Sequence, residues 1–328
     1  ASRSVADTVT KVRAYSRAAG TPDGRVGALP ARAARIGAVA PPAVDLVIVH
    51  RDKPGPVLRT VDLFLAQGVA TRVALVDNGS SDAALDQVRR GLPAGVELIE
   101  AGANTGFGPG ANIGFRWFLG HDPAPWLAVC PHDANPLPGC MARLVAVASA
   151  QPRAGLASAD VGDGLTPVVD RYFGAIPAPA TVADGWEPAG YPHGTLMVAR
   201  RECLVDIGLF DERYFAYCEE AELAIRAKEA GWQVGVVRGA EVRNTDVGSR
   251  AAVVDYLQLR NTLLMVREHS GLYHATIRLL IAVWDLVAGC VVPSQRGPYW
   301  APRARVLAMA HHLRRRYGPP PADLFGTG

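Results

Sequence analysis

The sequence predicts an α/β fold, a mostly parallel, doubly wound sheet flanked by helices, with a helical C-terminal extension. Three observations predict it. Short apolar runs rich in β-branched residues alternate with helical stretches from Val44 to Cys130. Asp- and Gly-bearing turns follow several of those runs. Beyond Val253 the chain reads as two long helices. Strands and helices alternating at this spacing imply βαβ units, and ligands of such sheets bind beyond the carboxyl ends of the strands.

Val44–Val49 (VDLVIV) is the first buried strand, and Val57, Val61, Leu63, Phe64 and Leu65 supply the apolar face of the helix after it. Arg72–Val76 is the second strand and runs into Asp77-Asn78-Gly79-Ser80-Ser81-Asp82, where Asn-Gly makes a tight turn and Ser or Asp can cap a helix over 83–90. Val96–Glu100 is the third strand. The Gly-rich stretch 106–114 leads into a helix ending near Leu119, and Trp126–Cys130 is the fourth strand, ending at Pro131-His132-Asp133. Residues 150–192, rich in Pro, Gly and Asp, predict loops with short strands. His193–Arg200 predicts a strand, 210–222 an acidic aromatic loop, 219–230 a helix closed by Gly231-Trp232, and 233–237 a further strand. Tyr273–Val292 is an apolar helix carrying His274, Arg278 and Asp285, expected to pack or to lie on a membrane surface rather than to span one. The expected organisation is a basic arm over 1–42, a catalytic domain over 43–250 and a helical extension with a basic tail over 251–328.

Hydrophobic residues make up 49% of the 328, and charged residues 20%, which excludes a wholly disordered chain and a coiled coil. The net charge of +3 is unevenly spread: residues 1–42 carry +5, residues 296–316 carry +6, and the centre is near −7. An acidic body with basic ends lacks the basic stripe of a nucleic-acid reader, so no nucleic-acid partner is expected. The five cysteines are odd in number with no C-x-x-C pair. They predict reduced, buried thiols in a cytoplasmic protein. No compact apolar stretch of a signal peptide opens the sequence, and no run of about 18 uncharged apolar residues occurs.

Four stretches could carry chemistry. Asp77 ends a strand where a carboxylate can face a nucleobase or ribose; a plain strand-to-helix turn explains it as well. Gly106-Phe107-Gly108-Pro109-Gly110-Ala111 fits G-x-G-x-x-A, with Asp133 some twenty positions on, but these glycines follow the third strand rather than the first, which opposes a dinucleotide fingerprint. Asp133 could hold a hard divalent cation against a diphosphate or be a solvated turn residue. Glu219, Glu220 and Glu222 crowd three carboxylates into four positions. That suits the acidic first turn of a helix, and equally a general base whose pKa is raised by like charges.

Taken in order, the motifs resemble a known family. They are Ala74 to Asp82, Asn104 to Gly114 (NTGFGPGANIG), Asp133 followed by Pro138-Gly139, Gly194 to Arg201 (GTLMVARR), Gly208 to Leu223 (GLFDERYFAYCEEAEL), Arg226 to Trp232 and Tyr256 to Arg267. From Val44 to about Ser249 the chain is similar to the family 2 inverting nucleotide-sugar glycosyltransferases, in particular their bacterial rhamnosyltransferase-like branch. The resemblance implies a GT-A fold. It implies that His50, Asp77, Asn78, Ser80, Asn104, Gly106, Gly108, Asn112, His132 and Asp133 line a donor site for a dTDP- or UDP-sugar. It also implies that Asp133, Asn244 and Asp246 hold Mg²⁺ or Mn²⁺, that Glu220, beside Glu219, is the catalytic base, and that His193 and Glu222 face the acceptor. Three positions depart from the family pattern: Glu220 stands where Asp is usual, Pro131 cannot ligate a metal, and Asn244 stands near the usual place of a His.

The expected function is therefore transfer of a hexose, rhamnose or another deoxyhexose among the candidates, from a nucleotide diphosphate sugar to a hydroxyl of a glycan, a lipid-linked saccharide or a secondary metabolite. The expected location is the cytoplasm, with peripheral contact at the inner face of the plasma membrane through the apolar helix and basic ends. A non-catalytic binding protein of the same fold and a NAD-dependent oxidoreductase are the alternatives.

Overall fold

The computed structural model describes residues 44–244 and 250–324, so the expected N-terminal arm and Asp246 lie outside the described residues. The parallel half of the fold follows the sequence pattern closely. Strand β1 (Val44–His50) leads to α1 (Pro54–Leu65), β2 (Thr71–Asp77), α2 (Asp82–Gly91), β3 (Glu97–Glu100), α3 (Phe107–Leu119) and β4 (Trp126–Pro131). Strands β1 and β4 and the second half of β2 are buried because alternate side chains point to opposite faces and both faces are covered, whereas edge strand β3 is partly exposed. Leu46 and Ile48 pack with Val57, Val61 and Phe64 of α1 on one side. Val47 and Val49 pack with Ala111, Phe115 and Phe118 of α3 on the other. Gly114 lets α3 lie directly on β1, since a Cβ there would run into the Val47 side chain.

Short β5 (Ala134–Pro136) and α4 (Cys140–Ser149) follow, then β6 (Ala154–Asp160), the hairpin β7 (Leu165–Asp170) and β8 (Gly174–Pro179), and β9 (Gly185–Pro188). Next come β10 (Met197–Arg200), α5 (Arg201–Ile207), α6 (Glu219–Glu229) and β11 (Gln233–Asn244). The main sheet runs β3-β2-β1-β4-β10-β6-β11-β5, with β9 beside β11, and β7–β8 stands apart. Strands β1, β2, β3 and β4 are mutually parallel, whereas β10 is antiparallel to both β4 and β6. The sheet is thus mixed beyond β4. The strand expected over 193–200 shrinks to its last four residues, because His193 to Leu196 turn the chain at the sheet's edge.

The C-terminal region is helical: α7 (Ala251–His269), α8 (Leu272–Val291) and α9 (Pro302–Leu313). Tyr256, Leu257 and Leu263 of α7 pack with Ala282 of α8 and with Ala304 and Ala308 of α9. The expected basic tail therefore contains a packed helix, in which Arg305 pairs with buried Asp255 at 2.8 Å. Not every cysteine is buried filler: Cys130, Cys140 and Cys203 are buried, whereas Cys290 is exposed.

Candidate active site

The order β3-β2-β1-β4 reverses direction at β1, and loops diverge there from the carboxyl ends of neighbouring strands. The register sets His50 against Asp77 and Val49 against Pro131, so the sequence-predicted His50, Asp77 and His132 share one edge. His50 Nε2 lies 3.1 Å from Asp77 Oδ1. Burial pulls the His50 pKa down, and neighbouring Asp77 only partly offsets it. Neither His50 Nδ1 nor Asp77 Oδ1, both buried, has an aligned hydrogen bond among the described residues. Asp77 Oδ1 still faces His50 Nε2, so His50 Nδ1 is the one of the two with no neighbour to bond among the described residues. Ser80 closes the turn: its N–H donates to Asp77 Oδ2 at 3.1 Å, and its Oγ accepts from the Asp52 N–H at 2.8 Å.

Two asparagines expected to touch the donor are instead bound to the protein. Asn78 Oδ1 accepts from the Thr105 N–H and hydroxyl, and its Nδ2 donates to the Gly106 carbonyl at 2.9 Å. Asn112 Nδ2 donates to the Phe210 carbonyl at 2.9 Å, and its Oδ1 accepts from the Phe210 N–H at 3.1 Å. Asn78, just after β2, fixes the start of the Gly-rich loop, and Asn112 of α3 ties Phe210 of the acidic segment to that helix. Asn104 accepts from the Gly106 N–H at 3.1 Å and stabilises the same loop.

The glycines serve close approach. Gly106 has φ +96°, and a Cβ there would collide with the Phe215 carbonyl; a Cβ on Gly108 would lie 3.4 Å from Glu219 Cγ. The loop thereby brings the acidic segment onto the edge that carries Asp77. On the other side Glu220 leans on the turn before β10, where a Cβ at Gly194 would strike its Oε1. His193 is in that turn, its Nδ1 3.0 Å from the Thr195 hydroxyl and its pKa lowered by burial.

Phe215, Tyr217 and Cys218 all have φ near +70°, a conformation uncommon for residues with a Cβ. It is held by Asn261 of α7, whose Nδ2 donates to the carbonyls of Tyr214, Ala216 and Tyr217, each at 2.8 Å. Two carboxyls sit directly after this strained turn. Glu219 is 2% exposed, Glu220 somewhat more accessible. Burial, and then repulsion from Glu220, push the Glu219 pKa well up, and burial raises that of Glu220 to about 7. The dipole of α6 favours charge at its first turn, but desolvation outweighs it. Burial thus disfavours charge on both carboxyls, most on the more deeply buried Glu219. Buried Glu219 Oε2 has no partner among the described residues.

Glu222, expected at the acceptor, is turned away. Its two oxygens each accept from Arg226 at 2.7 Å, and the same guanidinium donates through Nη1 to the Ile207 carbonyl and through Nη2 to the Leu209 carbonyl. It clamps the loop before Phe210. Sequence reasoning also left Asn261 without a role. The available signal was Arg260-Asn261, two polar residues within the largely apolar run Leu257–Val266; both are fully buried.

Asp133 is buried at the next strand end, and pairing of Asn244 with Ala134 sets Asn244 beside it. Among the described residues no group of three His, Cys, Asp or Glu side chains could hold a metal. A magnesium-like ion commonly takes one or two carboxylates and completes its shell with substrate phosphates and water. Asp133 and Asn244 fit that mode as hard oxygen donors.

The mixed sheet with acids at its strand ends is a GT-A-like fold. Two solved structures share that fold: the mannosyltransferase PcManGT of Pyrobaculum calidifontis, in complex with GDP-Man and Mn²⁺, at TM-score 0.58 and 15% identity over 94% of this chain and 95% of that one, and GalNAc-T7 with UDP, GalNAc and Mn²⁺, at TM-score 0.56 and 16% identity over 83% and 55%. The model of the family described as Glycosyltransferase like family 2 matches residues 41–262, more than half of the sequence, and the chain belongs to that family. It is similar to the N-acetylglucosaminyl-diphospho-decaprenol L-rhamnosyltransferase of Mycobacterium tuberculosis, 28% identical over 271 residues, 71% of this chain and 87% of that protein. It is also similar to the low-salt glycan biosynthesis hexosyltransferase Agl10 of Haloferax volcanii, 24% identical over 274 residues, 77% and 86% of the two chains.

Proposed function

We propose that the protein transfers a deoxyhexose, with rhamnose the leading candidate, from a nucleoside diphosphate donor to a hydroxyl of a lipid-linked saccharide, with inversion at the anomeric carbon. The observation that carries this reading is the pair Glu219–Glu220, pressed between the Gly-rich loop and the His193–Gly194 turn, with the Glu220 pKa raised to about 7. The sugar and the lipid-linked acceptor are proposed on the likeness to the mycobacterial rhamnosyltransferase.

In this reading the nucleobase satisfies His50 Nδ1, and the diphosphate lies toward Asp133. Glu220, ionised, takes the proton of the acceptor hydroxyl. That oxygen forms its bond to the anomeric carbon from the side opposite the diphosphate, whose bond to the same carbon breaks. A general base near neutral pKa suits this step, being deprotonated enough to act and basic enough to pull. Glu219, the more deeply buried of the two, is proposed to support Glu220 rather than to attack the sugar. A divalent cation held by Asp133 and Asn244 would supply neutralisation of the leaving diphosphate.

The test is a product analysis. Purified protein is given dTDP-rhamnose, UDP-glucose or GDP-mannose with a short-chain N-acetylglucosaminyl-diphospho-polyprenol, and the anomeric configuration of any product is read by NMR. Transfer with inversion supports the reading; a product that retains the donor's configuration overturns it, as does absence of transfer from any donor.

A further inference from the structure

Helix α8 turns its charged side inward. His274, Arg278 and Asp285, its titratable side chains apart from Tyr273 and Cys290, lie within a narrow arc at 3.6 residues per turn. That arc faces the protein. Arg278 lies over the Phe173 ring at 5.9 Å, His274 packs on Tyr172 at 4.9 Å, and Ala275, Ala282 and Gly289, seven residues apart, form the buried seam. The opposite face carries no charge: Leu280 is 63%, Trp284 66% and Val291 74% exposed, with Tyr273, Val283 and Val287 exposed between them. A contiguous uncharged face of this kind marks contact with something other than water.

What covers it is indicated by charge. The segment after α8, residues 296–316, holds six arginines and no acid. Arg305 is tied to Asp255 and Arg303 to Asp323, and Arg296, Arg314, Arg315 and Arg316 are exposed. Arg296 donates to the Gly289 carbonyl at the end of α8, which fixes this positive charge beside the apolar face. By length and composition alone α8 could cross a membrane. Its inner face, however, is occupied along its length by protein, including an arginine with buried nitrogens, which leaves one side for lipid.

We infer that the outward face of α8 seats the protein on a membrane surface, its apolar side chains entering the interfacial zone and the following arginines meeting anionic headgroups. This deepens the reading of a lipid-linked acceptor and rests on it for a purpose. Helix α7 lies between this seat and the acidic pair, and its Asn261 grips the turn that leads into Glu219 and Glu220. The acceptor saccharide then needs to reach across little more than one helix diameter, about 10 Å.

The experiment is co-sedimentation of the full chain with vesicles of phosphatidylcholine alone or enriched in phosphatidylglycerol. The wild type should bind the anionic vesicles more tightly than the neutral ones. Leu280→Glu with Trp284→Glu should weaken both by about tenfold or more. Arg314→Gln, Arg315→Gln and Arg316→Gln together should remove mainly the anionic preference, about fivefold for each arginine that reaches the surface. Tryptophan quenching by brominated lipid, reduced in Trp284→Phe, tests the same face without introducing a charge. Absence of wild-type binding to either vesicle overturns the inference. So does unchanged binding of the glutamate variant, or a wild-type dimer in solution that this variant dissociates while vesicles bind neither. Transfer to a soluble acceptor is measured in parallel. Its loss with vesicle binding intact sinks the catalytic reading alone, and its persistence without vesicle binding sinks the seat alone.

Discussion

Replacing Glu220 by Gln separates catalysis from stability, and the two effects have opposite signs. The Glu220 carboxyl moves from an ordinary 4.5 to about 7 because it is buried beside Glu219. A group whose folded pKa is raised stabilises fully below its unfolded pKa, and that contribution is lost as pH climbs through the folded one. Here the window is 4.5 to about 7. Above it the fold bears a penalty of at most about 3 kcal/mol, reduced by whatever water reaches the partly accessible Glu220. Gln removes the ionisation and keeps the shape. Urea unfolding at pH 8.5 should therefore show Glu220→Gln more stable than wild type by about 1–3 kcal/mol, with the gain nearly gone at pH 5. Turnover should fall by about 10² or more, while donor affinity by calorimetry stays within a factor of about three. Wild-type turnover should itself rise with pH across about 7, the pKa of the base. A stability gain equal at both pH values would refute the burial argument; turnover close to wild type would refute the base assignment.

Four further outcomes are expected. Asp133→Ala should abolish the part of UDP or dTDP binding that Mn²⁺ adds in calorimetry; equal affinity with Mn²⁺ and with chelator in the wild type would remove the metal from the mechanism. Asn261→Ala should lower stability by about 2–3 kcal/mol in urea, since three carbonyls lose their donor, and should lower kcat more than it raises donor Kd. Gly106→Ala should reduce melting temperature and donor binding together, because its φ of +96° and the Phe215 carbonyl leave no room for a methyl; a fully active, equally stable variant would contradict the close-approach account. Glu187→Gln should cost about 1–3 kcal/mol, since Arg238 loses its 2.6 Å carboxylate but keeps Asp160 at 3.0 Å. Burial would raise the Glu187 pKa, but hydrogen bonds from Thr181, Arg238 and Thr166 outweigh it and hold it at about 2. Its contribution is thus present above 4.5 and lost as pH falls toward 2, so the variant's acid limb should be flatter than the wild type's.

The parts of the fold that could be read from the chain are those whose cause is local. A run such as VDLVIV must be buried on both faces, and Asn78-Gly79 must turn. The acidic and Gly-rich motifs announced that chemistry gathers at the strand ends. What each motif residue does there depended on partners far along the chain. Asn78 and Asn112 look like donor contacts in sequence and are latches in space, since their amides meet Thr105, Gly106 and Phe210. Glu222, expected in sequence to face the acceptor, is paired with Arg226 one helical turn on. Spacing allowed that pair, but which of three adjacent carboxylates turns inward is fixed by the burial of α6 against the sheet.

By itself the amino-acid order determined the parallel α/β half, the helical C-terminal region and the presence of a carboxylate-rich centre, because strand burial, helix periodicity and turn chemistry act over a few residues. Only the tertiary structure decided that β10 runs antiparallel between β4 and β6, that Asn261 holds the strained turn before Glu219, and that α8 keeps its charges inward and its tryptophan outward. Those outcomes turn on which surfaces meet. Contacts between segments tens to hundreds of residues apart leave no period in the chain; they arise from packing, which sets desolvation and hence the pKa values on which the chemistry depends.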